Sequence, residues 1–170
     1  RMGKLGFLQR SGQQFHWNNA NYRTFQDFLD ALSSRKRKNI RKEREAVAAQ
    51  GVKMRVFTGD SLKAEHWDAF YRFYRNTTDR KWGWDYLKRP FFSYLHERMS
   101  DRVALVMAEH QGQWVAGALN LIGSDTLYGR NWGCTENFKN LHFETCYYQA
   151  IYFAIQRGLK RVEAGAQGQR

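Results

Sequence analysis

Proline is nearly missing from this chain. A single one, Pro90, occurs in 170 residues, which excludes a proline-rich linker. Cysteine is also scarce. Cys134 and Cys146 are too few for a disulfide framework, and they lack C-x-x-C spacing. A plain buried thiol is the simplest reading of Cys146, and a reducing cytoplasm the simplest compartment for the chain. No apolar run approaches the roughly eighteen residues that a membrane-spanning helix needs, and Arg1 to Arg10 lack the apolar core of a signal peptide. The five histidines (His16, His66, His96, His110, His142) show no H-E-x-x-H or other paired spacing, so no metal centre is expected. A G-x-S-x-G elbow and a Walker loop are also missing.

What the chain does have is aromatic and basic. Phe, Trp and Tyr make up 16% of the residues, above what a disordered chain carries. The length suits one domain with a substantial core. The formal net charge is +12. Residues 35–44 (R-K-R-K-N-I-R-K-E-R) hold seven cations and one anion, so half of the excess sits in one short stretch.

Hydrophobic periodicity sets the expected order of elements. Phe7 to Tyr22 reads as strand-like with polar interruptions, and Asn18, Asn19 and Asn21 mark a turn. From Thr24 the spacing becomes helical (Phe25, Phe28, Leu29, Leu32), with Thr24 and Asp27 placed for a capping box. One long helix is expected through the basic stretch to Gln50, stopped by Gly51. Val52 to Phe57 alternates as a half-buried strand. A helix carrying Trp67, Phe70, Tyr71 and Tyr74 on one face follows, and then another over Tyr86 to Met99 with Pro90 in its first turn. Three strands are expected at Val103–Glu109, Trp114–Ile122 and Thr126–Gly133. The clearest helix of the chain carries Phe143, Cys146, Tyr147, Ala150, Ile151 and Ala154. A final strand starts at Arg161.

This order resembles the GNAT acyltransferase fold, and local stretches narrow the resemblance. Ser33 to Met54 is similar to the long helix leading into the second GNAT-like domain of Fem-type aminoacyl transferases. R-K-W-G (80–83), V-A-G-A-L-N (115–120), L-Y-G-R-x-W-G (127–133), L-H-F-E-x-C-Y-Y-Q (141–149) and E-x-G-A-Q-G (163–168) resemble a bacterial Fem-like family of peptidoglycan biosynthesis and recognition, over essentially the whole chain. The resemblance implies an α+β (α/β) fold with a mixed, mostly antiparallel sheet and flanking helices. It also implies an interior fragment, truncated at its C-terminal side. The expected divisions are 1–24, the end of a preceding GNAT-like half; 25–51, a basic connecting helix; and 52–170, an incomplete GNAT-like domain with an open strand edge near Glu163. Acetyl-CoA is disfavoured as donor, because the segment T-E-N-F-K-N-L-H (135–142) holds no glycine where a pyrophosphate loop would lie. Fem-type enzymes, which use aminoacyl-tRNA, also lack that loop. No cofactor is therefore expected.

The candidate site residues follow from chemistry and from this resemblance. Arg35, Arg37, Lys38, Arg41 and Lys42 can hold an anionic partner, either tRNA or an anionic lipid headgroup. The plain alternative is a solvated helix face. Strict alternation puts Tyr128, Arg130 and Trp132 on one strand face, suited to a sugar-bearing or anionic ligand, or else to an arginine packed between core aromatics. Acyl transfer to an amine needs a proton acceptor, and His142 or Glu144 can serve; the plain alternative is a first-turn glutamate favoured by the helix dipole. Helical spacing sets Glu144 beside Tyr148. The resemblance implies that Glu163 and Gln167 face the cleft, and that the loop of Arg80, Lys81 and Trp82 contacts the acceptor. The expected activity is N-acyl or aminoacyl transfer to an amine, such as that of a cell-wall precursor. A non-catalytic module recognising RNA or a cell-wall ligand is the alternative. The expected location is the cytoplasm or the inner face of the membrane.

Overall fold

A computed structural model describes Gly6 and residues 14–80 and 86–165, with Arg80 described in its backbone only. Lys81, Trp82 and Gln167 lie outside the described residues. Among the described residues, six strands form one sheet in the order β1-β6-β5-β4-β3-β2. They are β1 (His16–Asn18), β2 (Val52–Phe57), β3 (Val103–His110), β4 (Gln113–Ile122), β5 (Thr126–Cys134) and β6 (Arg161–Glu163). Every neighbouring pair is antiparallel except β5 with β6. The fold is thus mixed α+β with a mostly antiparallel sheet, as expected.

The meander is built from local chemistry. Strands β3 and β4 are almost continuously apolar and buried. Between them Gln111 and Gly112 both take positive φ (51° and 76°), the geometry of a tight two-residue hairpin whose twist matches the strands. One face of the sheet is covered by α3 (Ala64–Arg80) and α4 (Arg89–Met99), whose Trp67, Phe70, Phe73 and Phe92 pack on Leu105, Met107 and Leu119. Pro90 lies in the first turn of α4, where its missing N–H costs nothing. Gly133 of β5 fits tightly under α3: a Cβ there would stand 2.1 Å from the Phe73 carbonyl oxygen.

The other face carries α1 (Phe25–Asp30), α2 (Ser34–Ala49) and the helix that follows β5. The single helix expected from Thr24 to Gln50 is two helices, broken at residues 31–33. Thr24 and Asp27 do form the capping box of α1. The break lets Phe25, Phe28 and Leu29 seat against Ala150, Ile151 and Ala154. Val47 of α2 packs separately on Val52 and Ala108. Asp30 bridges the break, accepting from Gln26 Nε2 (2.8 Å) and Arg37 Nη1 (3.1 Å). Ser33 and Ser34 suit such a junction, since serine favours helix ends over interiors.

The helix after β5 runs over residues 141–156 in three parts: α5 (Leu141–Phe143), a π-turn (Glu144–Tyr148) and α6 (Gln149–Gln156). It returns the chain to β6. The open edge expected at Glu163 is closed: β6 lies inside the sheet, with Tyr128 of β5 on one side of Glu163 and His16 of β1 on the other. β1, from the stretch expected to end a preceding half, therefore joins this same sheet. Asn19 secures it, donating its backbone N–H to Lys160 O and its side-chain amide to Leu159 O.

Candidate functional site

A β-bulge shapes the site. Across β4 and β5, Leu119 pairs with Asn131 and Asn120 with Gly129, so Arg130 is the extra residue. A bulge reverses the alternation beyond it. Leu127 and Trp132 consequently lie on the same sheet face, with the α6 and α2 clusters respectively, while Gly133 faces α3. The single face expected for Tyr128, Arg130 and Trp132 does not exist. Tyr128 packs beside Gly123, and Trp132 reaches the start of α5 from the opposite face.

Among the described residues, pairing between β5 and β6 ends at Tyr128 and Glu163. Just past that point Gly129 lies close against Ala164 and Gly165: a Cβ on Gly129 would press on the Ala164 backbone at 3.1 Å, and one on Gly165 would meet Gly129 O at 3.0 Å. A cleft of about 270 Å³ opens beside these residues. Thr77 of α3 lines it from one face of the sheet, and His142, Cys146 and Tyr147 from the other. The bulge residues Gly129, Arg130 and Asn131 form its β5 wall, with Trp132 beyond them. None of the lining residues among those described is a carboxylate, and Arg130 supplies an exposed cation.

The exposed His142 ring stands edge-on to Trp132 (5.2 Å between centroids, 75°) and to Tyr147 (5.9 Å, 78°). Burial, followed by the nearby Cys146 sulfur, raises the Tyr147 hydroxyl above its ordinary value, so it stays protonated at neutral pH. Burial pushes the Cys146 thiol far upward, although the residue is only partly covered. A thiol held so high offers no thiolate, and Cys146 is a wall of the cleft rather than a nucleophile. Asn120, fully buried at the bulge, donates to Ala104 O (3.2 Å) and Ala118 O (3.3 Å).

The other two candidate acids lie away from this cleft. The Glu144 side chain is only 4% exposed. It points to α2, where Arg44 Nε reaches its two oxygens at 3.1 and 3.2 Å, and Gln149 Nε2 donates at 2.7 Å. Glu144 instead lines a second hollow with Phe25, Leu29, Arg41 and Arg44. Tyr148 is beside Glu144 along the helix, but its hydroxyl donates to Glu43 of α2. Glu163 pairs with His16 (3.8 Å) and Arg161 (3.9 Å) on the sheet.

The basic helix divides its cations. Arg37 is held by Asp30, Arg41 Nη2 donates to Gln26 Oε1 at 3.2 Å, and Arg44 is held by Glu144. Arg35, Lys38 and Lys42 are exposed, as is Lys36, with no ion pair among the described residues. Sequence reasoning did not single out Thr77, Asn131, Tyr147 or Arg44. Only Tyr147 and Asn131 carry a local signal, inside the quoted motifs of the last helix and β5. No group of three or more His, Cys, Asp or Glu able to hold a metal occurs among the described residues, and none of their helices is long and apolar enough to cross a membrane.

Residues 1–170 match the model of the FemAB-like family, described as peptidoglycan biosynthesis/recognition. No curated protein matches the chain. Among solved structures it superposes on L-PGS from Bacillus licheniformis with a TM-score of 0.60 at 10% identity, over 94% of this chain and 48% of that one. The C-terminal domain of a putative lysylphosphatidylglycerol synthetase from Agrobacterium fabrum gives 0.63 at 10% identity, over 84% and 45%. A conserved protein of unknown function from Bacteroides thetaiotaomicron gives 0.53 at 15% identity, over 88% and 52%. The chain spans about half the length of these structures, and at such identities they report on fold alone. With the family model covering its full length, the chain belongs to the FemAB-like family.

Proposed function

We propose that this is the GNAT-like transfer domain of a FemAB-like N-acyltransferase, moving an acyl or aminoacyl group onto an amine such as that of a cell-wall precursor. The reaction site is the cleft between β5 and β6. The observation that carries this reading is the end of the β5–β6 ladder at Tyr128 and Glu163, beside a cleft. Among the described residues, the cleft is lined by the bulge of β5 and by one imidazole, that of His142, with no carboxylate.

An acyl carbonyl lying along β5 would meet backbone groups of Gly129 to Asn131, which have no β6 ladder partner among the described residues. The acceptor amine attacks the carbonyl carbon, His142 takes the proton shed by the amine, and the bond to the donor's oxygen breaks as that proton passes on to the leaving oxygen. Arg130 holds an anionic part of a substrate, and Trp132 and Tyr147 flank it. The raised Cys146 thiol favours direct attack over a covalent intermediate on that residue. An aminoacyl-tRNA donor fits the glycine-free segment 135–142 and the exposed cations Arg35, Lys36, Lys38 and Lys42. The names of the superposed structures add support, since lysylphosphatidylglycerol synthetase denotes transfer of an amino acid. The work would take place in the cytoplasm or at the inner membrane face, with the rest of the parent chain completing the site.

The test is a transfer assay on the full parent protein with labelled aminoacyl-tRNA and amine-bearing cell-wall precursors, read by mass spectrometry. Transfer that falls about a hundredfold or more in His142→Gln is the expected result. Precursor binding without turnover would overturn the catalytic reading in favour of a recognition module.

A further inference from the structure

The Arg44–Glu144 pair sits on the side of the π-turn away from the cleft, and the reaction proposed above makes no use of it. A carboxylate that is 4% exposed is costly to retain unless its partners are well placed. Here they are. Both Glu144 oxygens meet Arg44 Nε, and the Phe25 ring lies 4.6 Å from the guanidinium carbon. Gln149 adds a third contact at 2.7 Å.

That third contact depends on the π-turn. In an α-helix, residues five apart point about 140° away from each other. In the π-turn they share a face, and the Gln149 N–H reaches the Glu144 carbonyl oxygen, the i to i+5 bond of that geometry. The adjacent residue on each side repeats the attachment, with Tyr148 donating to Glu43. Two consecutive residues of α2 therefore grip two corners of the π-turn.

The opposite side of the same turn carries Cys146 and Tyr147, with His142 just before it starts. A π-turn holds one residue more than an α-turn. Relaxing it to α-helix would rotate everything on its N-terminal side by about 100° relative to α6. His142 would leave Trp132 and the cleft.

We propose that Arg44 and Glu144 are positioning residues: their buried pair holds the π-turn and so sets the direction in which His142 and Tyr147 meet the cleft. The kinetic part of this inference rests on the transfer reading; the geometric part does not. Lysine cannot take the place of Arg44, since it has no donor at the Nε position that meets both Glu144 oxygens and no planar guanidinium to lie over the Phe25 ring.

The experiment is NMR of the full parent protein with ring-labelled histidine, in which Trp132 and Tyr147 shift the His142 signals. Loss of one peak in His142→Gln assigns them. The Arg44→Met/Glu144→Leu double variant leaves no lone buried charge, and such replacements commonly keep stability. The expected result is a folded protein whose His142 signals move to the position of a free histidine. Its transfer kcat falls tenfold or more with little change in KM. The reversed pair, Arg44→Glu/Glu144→Arg, restores part of both. Unchanged His142 signals in a folded double variant would overturn the proposal. Should that variant not fold, Arg44→Lys is read by the same shift: displaced His142 signals uphold the positioning role, and unchanged ones overturn it. Displaced His142 signals alongside a wild type that transfers nothing would uphold the positioning role and sink the transfer reading.

Discussion

The two ends of α2 carry the same kinds of residue and do different things with them. Toward its N-terminus, Arg35, Lys36 and Lys38 extend into solvent, and no acid sits in the first turn to answer them or the helix dipole. Toward its C-terminus, Arg44 is packed against Glu144 and Phe25, and Glu43 takes the Tyr148 hydroxyl. The difference lies in the neighbours, not in α2. A carboxylate a hundred positions away turns Arg44 into a structural residue. Among the described residues no such partner reaches Lys38 or Lys42, which are exposed.

This contrast can be tested by removing side chains from each end, and the expected losses of stability run from large to negligible. Arg44→Met strands the Glu144 charge in the interior and should cost about 3 kcal/mol in denaturant unfolding. A loss under about 1 kcal/mol would erase the distinction between the two ends. Tyr148→Phe removes a hydrogen bond to a charged group and should cost about 1.5 kcal/mol near pH 8. That cost should also depend on pH. Burial and then the Glu43 bond raise the folded Tyr148 hydroxyl above its ordinary value of 10. The unfolded chain therefore loses this proton first. The stability is fully present below pH 10 and drains away as pH rises through the folded value. Unfolding midpoints of wild type and Tyr148→Phe should accordingly converge in alkali, with Tyr147 leaving a residual slope in both.

Smaller effects belong to the exposed end. Arg37→Gln gives up a solvent-facing pair with Asp30 and should cost under about 1 kcal/mol, less at high salt. Replacing Arg35, Lys36, Lys38 and Lys42 together with Gln should leave stability within about 0.5 kcal/mol. The same variant should bind tRNA more weakly and with a flatter salt dependence. Filter binding at two salt concentrations checks this, and unchanged binding would make the cations a solvated face.

The sequence made the frame of this protein legible and hid the devices that shape its site. Apolar runs broken at Gln111-Gly112 and Ser124-Asp125 marked β3, β4 and β5, and the Trp67–Phe70–Tyr74 face marked α3, because these features depend on residues a few positions apart. The bulge at Arg130 and the π-turn at Glu144 have no local period of their own. Each inserts one residue and offsets the faces on its two sides: Trp132 changed face past the bulge, and Glu144, at the start of the π-turn, faces α2. The break between α1 and α2 was hidden for a related reason, since its two halves answer to different neighbours. His142, two residues ahead of the π-turn, lines the cleft, whereas Glu144 and Glu163 are not among its lining residues.

Gly133 bears on any attempt to enlarge the cleft. Its missing methyl group sets how low α3 rides over the sheet, and Thr77 hangs from that same helix as one wall of the gap. Substituting Gly133 would lift α3 bodily, loosening the aromatic layer of Trp67, Phe70 and Phe73 along with the wall. Enlarging the cleft is better done by leaving this glycine alone and trimming Thr77, where the space gained is confined to the cleft.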